Sequence, residues 1–232
     1  MIAVTFALPA ESSAFVRRLP KKSINNHSGI EVISGEIDHR AIEILHTGVG
    51  EKICRQRIGE YLTRSRPACV MSAGFAGGLD DQLHVGDLLL AENFSTPRLP
   101  KIRTLVSSVP IHCGKLLTIP AIIDSIEERK RIAQTTGVSA VNMETEFIAR
   151  ACAQHGTPLL SLRVISDTPA NPLPAPSEVL FDVMKQRTDM LKFVRFFLAH
   201  PNRLPRLVHF ARRIARAREI LADALVQVVQ EL

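Results

Sequence analysis

AVNMETEFIARACAQHGTPLLSLRVISD, residues 140–167, reads as strand, helix and strand in succession. The approach VSAVNM is short and apolar. From about Glu144 to His155 the pattern is helical, and PLLSLRVIS is then apolar almost throughout. A strand that is apolar on both sides is covered on both sides, which predicts a parallel or mixed sheet between layers of helix. Acids follow both strands: Glu144 after VSAVNM and Asp167 after PLLSLRVIS. A lone carboxylate at a helix start is explained by the exposed N–H groups and the helix dipole, so Glu144 by itself decides nothing.

The same alternation runs back to the N-terminus. IAVTFAL (2–8) is a β-type run, followed by the helical spacing of Phe15, Val16 and Leu19. GIEVISGEID and HRAIEILHTG alternate as a hairpin of half-buried strands does. Ile53, Ile58, Tyr61 and Leu62 form the apolar stripe of an amphipathic helix. ACVMSAGFAGGL is a buried strand entering a glycine-rich turn, VGDLLLAENF another strand, KLLTIPAII a strand with a proline near its end, and SIEERKRIAQTTG a charged helix. In DTPANPLPAPSE, Pro169, Pro172, Pro174 and Pro176 forbid regular structure. We divide the chain into a catalytic unit, 1–185, and a basic, amphipathic helical extension, 186–232, packed on that unit or on a membrane.

The 232 residues are 46% hydrophobic and 22% charged, ordinary for a globular protein. No run approaches the roughly 20 apolar residues of a membrane span. The start lacks the basic and small-residue features of a signal peptide, so a cytoplasmic location is expected. Cys54, Cys69, Cys113 and Cys152 are scattered, as buried thiols in a reducing compartment would be. No His or Cys pair has zinc-ligand spacing, and GxGxxG is absent, so neither metal nor dinucleotide cofactor is expected. The net charge of +6 gathers in the tail, where Lys192, Arg195, Arg203 and Arg206 stand beside Phe193, Val194, Phe196, Phe197 and Leu198. That composition suits an interfacial helix on anionic lipid, or a helix packed through Phe193, Phe197 and Val208. The aromatics are not spaced as a base-stacking platform, so nucleic acid is not expected.

Ligands of open α/β sheets bind at the carboxyl ends of strands. Glu11, Glu144 and Asp167 all occupy such ends, and so do the turns SAGFAGGL (72–79) and HTGVGEK (46–52). Three acids on one edge exceed what capping needs. Carboxylates sharing a pocket raise one another's pKa, a route to acid–base chemistry.

HTGVGEKICRQRI, MSAGFAGGLDDQLHVGDLLLAE and AVNMETEFIARACAQHGTPLLSLRVISD, in that order, resemble three signature blocks of the nucleoside phosphorylase/nucleosidase superfamily, most of all its methylthioadenosine/S-adenosylhomocysteine nucleosidases. The resemblance covers most of residues 2–168. It implies a three-layer α/β/α sandwich around a mixed, partly closed sheet, a purine nucleoside as small-molecule substrate, no cofactor, and a homo-oligomer, usually a dimer. It implies that Glu11 positions the attacking water, that Glu144 holds the ribosyl hydroxyls above Met143, and that Asp167, oriented by Ser166, protonates purine N7 as the base leaves. Phe75, Ala76 and Gly77 would border base and ribose, and Ile122 and Ile123 the purine. The tail is similar to that of the hopanoid-associated branch, whose substrate is an adenosine-bearing lipid precursor; this implies a lipid-linked adenosine derivative and peripheral contact with the inner membrane face.

Three positions depart from the nucleosidase pattern: Asn142 replaces an acid, Phe75 replaces a small polar residue, and the segment between Glu92 and Gly114 is short. Phosphorolysis would need an arginine cradle. Neither ALPAESS nor MSAGFAGG holds one, and Arg163 reads as a structural residue inside a strand, so water is the expected nucleophile. A phosphorylase remains the alternative if Arg17, Arg18 or a neighbouring subunit reaches the site; a non-catalytic nucleoside-binding protein is the second alternative.

Overall fold

A computed structural model describes residues 1–27, 29–96 and 110–231. Its centre is a mixed sheet whose core strands are β1 (Ile2–Phe6), β4 (Arg40–His46), β5 (Cys69–Gly78) and β10 (Leu159–Asp167). These four run parallel in the order β4-β1-β5-β10. Burial is complete along β1 and β10, which is the physical reason for their unbroken apolar runs. The antiparallel strands β2 (Lys22–His27) and β3 (Ile30–Ile37) extend one edge. Asp38 and His39 both take positive φ, the two-residue turn that matches the twist of a hairpin, between β3 and β4. On the other edge, β6 (Leu88–Ala91) runs antiparallel to β10, and β7 (Ile111–Gly114) follows it. β5 is long enough to serve three partners. Its last residues, Gly77 and Gly78, also pair with β9 (Ala140–Asn142), which pairs in turn with β8 (Leu116–Thr118). This branch curls the sheet and brings β9 over the end of β5.

Helices cover both faces. α2 (Glu51–Arg64) and α4 (Thr145–Gln154) lie over one, burying Cys54, Ile58 and Ile148 against Val70 and Leu159. α1 (Pro9–Arg17) and the last helix, α7 (Leu204–Glu231), lie over the other. Ala217, Leu221, Ala224, Leu225, Val228 and Val229 of α7 belong to the same core as Val4 and Phe15. Outside that core, Arg18, just after α1, hydrogen-bonds both Glu219 and Asp223, and Arg17 pairs with Glu219. α3 (Ile126–Thr136) starts at a Ser125 cap that accepts from Glu128 N and ends at the left-handed Gly137. A short α5 (Ser177–Leu180) and α6 (Met190–Ala199) lead to α7.

Two elements differ from the sequence reading. KSINNH forms β2 without an apolar alternation, because it is an edge strand held by β3. KLLTIPAII gives only the three residues of β8, since the chain must leave the ladder before Pro120. The four cysteines are free thiols. The short segment noted between Glu92 and Gly114 lies largely in residues 97–109, outside the described residues.

Because Leu225 is fully buried in the core it shares with Val4 and Leu162, truncating it to alanine should cost about 2–5 kcal/mol. Urea unfolding measures this. A loss under 0.5 kcal/mol would mean that α7 is an appendage and not part of the core.

Candidate functional site

The loops at the carboxyl ends of β1, β4, β5 and β10, with the residues after β9, surround a cavity of about 590 Å³. That lies within the range of small-molecule sites. Glu11, Glu144 and Asp167 all line it, and so do Met143, Ser166, Phe75, Ala76, Gly77, Ile122 and Ile123. Asn142 is there too, but its amide is spent internally: Oδ1 accepts from Thr118 Oγ1 at 3.0 Å and Nδ2 donates to Thr145 Oγ1.

Glu11 stands in the first turn of α1. Its Oε2 accepts from Ala7 N (2.9 Å) and Leu8 N (3.2 Å), and Oε1 from Phe75 N (3.2 Å). The side chain thus caps the helix and ties the ends of β1 and β5 together. Burial pushes its pKa up, opposed by Arg163 and these three N–H donors.

Glu144 sits at the N-cap of α4, yet its side chain makes no capping bond. It reaches across to the next loop, where Gly50 N donates to Oε1 at 3.4 Å. Burial, reinforced by the nearby charge of Glu11, pushes its pKa up to about 7, with Arg163 pulling the other way.

Arg163 is the residue that sequence reasoning undervalued. It is 2% exposed, and it lies below the two acids. Its Nη2 donates to Thr145 Oγ1 (2.8 Å) and to Ser72 Oγ. A Cβ on Gly74 would stand 2.7 Å from Arg163 Nη1 and 3.2 Å from Glu11 Oε1, and Gly74 has φ +149°. Only glycine leaves room there, between the guanidinium on one side and the Glu11 carboxylate on the other. The signal was legible: a charge inside an otherwise apolar, doubly covered strand must have buried partners.

Asp167 stands at the base of the opposite wall. A register shift between Ile165 and Asp167 sets Asp167 opposite Gly77. Such bulges re-aim side chains at the ends of strands. Ser166 Oγ donates to Asp167 Oδ1 at 2.6 Å, and Arg129 Nη2 donates to Oδ2. Arg129, from α3, is 3% exposed and lines the cavity; Nε (3.0 Å) and Nη2 (2.8 Å) also hold Ile123 O.

Gln186 closes one side. Its Oε1 accepts from Val49 N (2.7 Å) and its Nε2 donates to Val49 O (2.8 Å), clasping the segment around Phe181 to the loop beside Glu144. Neither Arg129 nor Gln186 carried a sequence signal, since each is one polar residue in a polar stretch. Arg17 and Arg18 are turned away, paired with Glu219 and Asp223 on α7.

The site has two chemically distinct ends. One holds two acids against a single guanidinium, an excess of negative charge when both are ionised. The other holds a neutral carboxylate–guanidinium pair. Among the described residues no cluster of three or more His, Cys, Asp or Glu could hold a metal ion.

A model of the phosphorylase superfamily matches residues 97–199. Over 196 residues the chain is 22% identical to a 5'-methylthioadenosine/S-adenosylhomocysteine nucleosidase of Staphylococcus aureus, covering 72% of this chain and 86% of that protein. The fold matches that of a 5'-methylthioadenosine/S-adenosylhomocysteine nucleosidase from Neisseria meningitidis, solved with methylthio-immucillin-A: TM-score 0.73 at 16% identity, over 100% of this chain and 99% of the other. It also matches the futalosine hydrolase of Helicobacter pylori: TM-score 0.72 at 17% identity, over 100% and 97%.

With its pKa at about 7 in the fold against 4.5 when free, Glu144 keeps a proton that the unfolded chain releases. Its stabilising share is therefore fully present below pH 4.5 and is lost as pH rises to about 7, at a cost on the order of 3 kcal/mol. Glu144→Gln removes this cost. The variant's melting temperature relative to the native chain should be on the order of 10 °C higher at pH 8 than at pH 4.5. A difference independent of pH would show that Glu144 is not the strained acid.

Proposed function

We propose that this chain, a member of the nucleoside phosphorylase/nucleosidase superfamily, is a purine nucleosidase that hydrolyses the N-glycosidic bond of an adenosine derivative. The observation that carries this reading is the meeting of Glu11, Glu144 and Asp167 in one cavity with unlike surroundings. Bond cleavage leaves positive charge on the ribosyl ring and an electron pair on the purine. The excess negative charge of Glu11 and Glu144 stabilises the first, and the Asp167–Arg129 end receives the second. Glu144 accepts from the ribose hydroxyls, and Met143 packs beneath the sugar. Water adds its oxygen to C1′ and gives a proton to Glu11, whose raised pKa makes it a stronger base than a free carboxylate. The departing purine takes up one proton from solvent at N7, beside Asp167, and Glu11 releases the proton it gained, which closes the balance.

Water is favoured over phosphate by the charges around the cavity. The lining cations among the described residues are Arg129, committed to Asp167, and Arg187, at the exposed rim. A phosphate dianion would need a cationic fork near the sugar.

Much of the remaining wall is apolar, with Leu8, Val49, Leu180, Phe181, Phe210 and Ile214. This supports an apolar 5′ substituent, including a lipid-linked one. α6 packs against α5, whose Leu180 lines the cavity. Its Phe197 is buried and Phe193 half-buried, while Leu191 is 79% and Leu198 77% exposed, among the exposed Lys192 and Arg195. Val208 is likewise exposed, contrary to the packed alternative for that residue. The pattern suits shallow insertion at an anionic surface. No described helix is long and apolar enough to cross a membrane. A homodimer, cytoplasmic and peripheral at the inner membrane face, completes the reading; Ile122, on the cavity wall yet 37% exposed, is where a second copy would narrow the mouth.

Adenine should be released from methylthioadenosine or a longer-chain analogue at the same rate with and without phosphate. Glu11→Gln should lower kcat by about 10²–10⁴ with little change in adenine affinity. A strict phosphate requirement would make the enzyme a phosphorylase. In a second experiment, the chain should sediment with phosphatidylserine-containing vesicles and not with neutral ones, and Leu191→Ser with Leu198→Ser should abolish it. Sedimentation unchanged by these substitutions would remove α6 from that role.

A further inference from the structure

Among the described residues, the cavity wall holds one cation that the fold does not use. The lining cations are Arg129, committed to Asp167 and Ile123 O, and Arg187. Arg187 is exposed, and its guanidinium has no hydrogen-bond or ion-pair partner among the described residues. The acids nearest in the chain are spent elsewhere. Lys185 stands between them, with Nζ 3.0 Å from Asp189 Oδ2 and 3.5 Å from Asp182 Oδ2. Their other oxygens hold backbone: Asp182 Oδ1 accepts from Met184 N and Lys185 N, and Asp189 Oδ1 from Leu191 N and Lys192 N. The polar neighbours on the wall are spent too. Both ends of the Gln186 amide bind Val49, and Thr188 Oγ1 donates to Leu180 O at 2.7 Å.

The backbone that carries Arg187 is nonetheless fixed. Asp182 N donates to Arg187 O (3.0 Å), and Arg187 N donates to Asp182 O (3.3 Å). Gln186, one residue before, is held at φ +54°, a left-handed conformation that is costly for a residue other than glycine and that recurs at ligand clamps. Its clasp on Val49 sets this turn beside Gly50, whose N–H meets Glu144 at the sugar end. With a purine at Asp167 and a ribose at Glu144, the 5′ substituent runs along the apolar wall of Leu180 and Phe181. Asp182, the residue after Phe181, is the one bonded to Arg187, so a charge stands at the rim where that apolar stretch ends.

We propose that Arg187 is a specificity-determining residue for the far end of the substrate, where it pairs with an anionic group, a carboxylate or a phosphate, carried on an apolar 5′ substituent. This rests on the nucleosidase reading above and extends it to the chemistry of the 5′ tail. A planar guanidinium with uncommitted donors gives two parallel hydrogen bonds to such a group. The pair lies at the rim, so its selectivity is several-fold and not orders of magnitude.

The test uses adenosines bearing 5′-alkylthio chains of graded length, each ending in a carboxylate or in its methyl ester, with adenine release measured as kcat/KM. At the best length the carboxylate should be favoured over its ester by about 3- to 10-fold at low ionic strength, and the preference should fade as salt is added. Arg187→Gln should abolish the preference, Arg187→Lys should keep part of it, and Arg187→Glu should reverse it. Each ratio compares two substrates of one variant, so a general loss of activity leaves it readable. A native chain with no preference at any length overturns the proposal, and so does a preference that Arg187→Gln leaves intact. Phosphate that speeds cleavage of the ester in the native chain but not in Arg187→Gln also overturns it, because Arg187 then serves a phosphate nucleophile. A chain that neither binds nor cleaves any of these nucleosides overturns the nucleosidase reading along with this one, an outcome distinct from the others.

Discussion

A guanidinium buried under two carboxylates is the constraint on which the site depends. Arg163 lies in a strand covered on both faces, where an unpaired charge would be costly. Its hydrogen-bond partners are Ser72 on β5 and Thr145 at the start of α4, and the acids Glu11 and Glu144, which follow β1 and β9, act on it through their charge. Two negative charges against one positive leave that end of the cavity with a deficit of positive charge. Burial first, and then the charge of Glu11, push the pKa of Glu144 up to about 7, so the site without substrate keeps a proton near neutral pH. On the proposed reading a ribosyl ring acquiring positive charge relieves that deficit directly, and the excess negative charge of the resting site becomes attraction for the transition state.

The fold supplies the rigidity such an arrangement needs. Glu11 is held by three backbone donors from two strand ends, so it cannot swing away to solvent. Gly74 has no side chain because Arg163 and Glu11 fill that space. β9 crosses the end of β5, and this crossing delivers Glu144 to the cavity from a strand on a separate branch of the sheet. Behind α1, the buried face of α7 and the pairs from Arg17 and Arg18 to Glu219 and Asp223 fix the helix that carries Glu11. Those two arginines are therefore architectural and supply no phosphate cradle.

Much of this was readable from residues 2–167, and the reasons are physical. Apolar runs such as IAVTF and PLLSLRVIS can only be covered strands, and acids following them must stand at a sheet edge. The stripe Ala217, Leu221, Leu225, Val228 is plainly helical, but periodicity does not tell whether body or membrane covers it; the structure puts it in the core. What escaped were residues whose role exists only in three dimensions. Arg129 sits among Glu128, Lys130 and Arg131 and differs from them only in that α3 turns it inward toward Asp167 and Ile123 O. Glu144 at a helix start could not be told from a cap until its bond to Gly50 was seen.

The account's central claim, that the sugar end is built for positive charge, is tested most directly by comparing two adenine-bearing ligands of the same shape. One has a cationic nitrogen in the five-membered ring and the other a neutral carbon or oxygen at that position. The account predicts that the cationic ligand binds at least about 100-fold more tightly to the native chain, and that replacing Glu144 by glutamine removes most of that difference. Equal affinity of the two ligands for the native chain would contradict it.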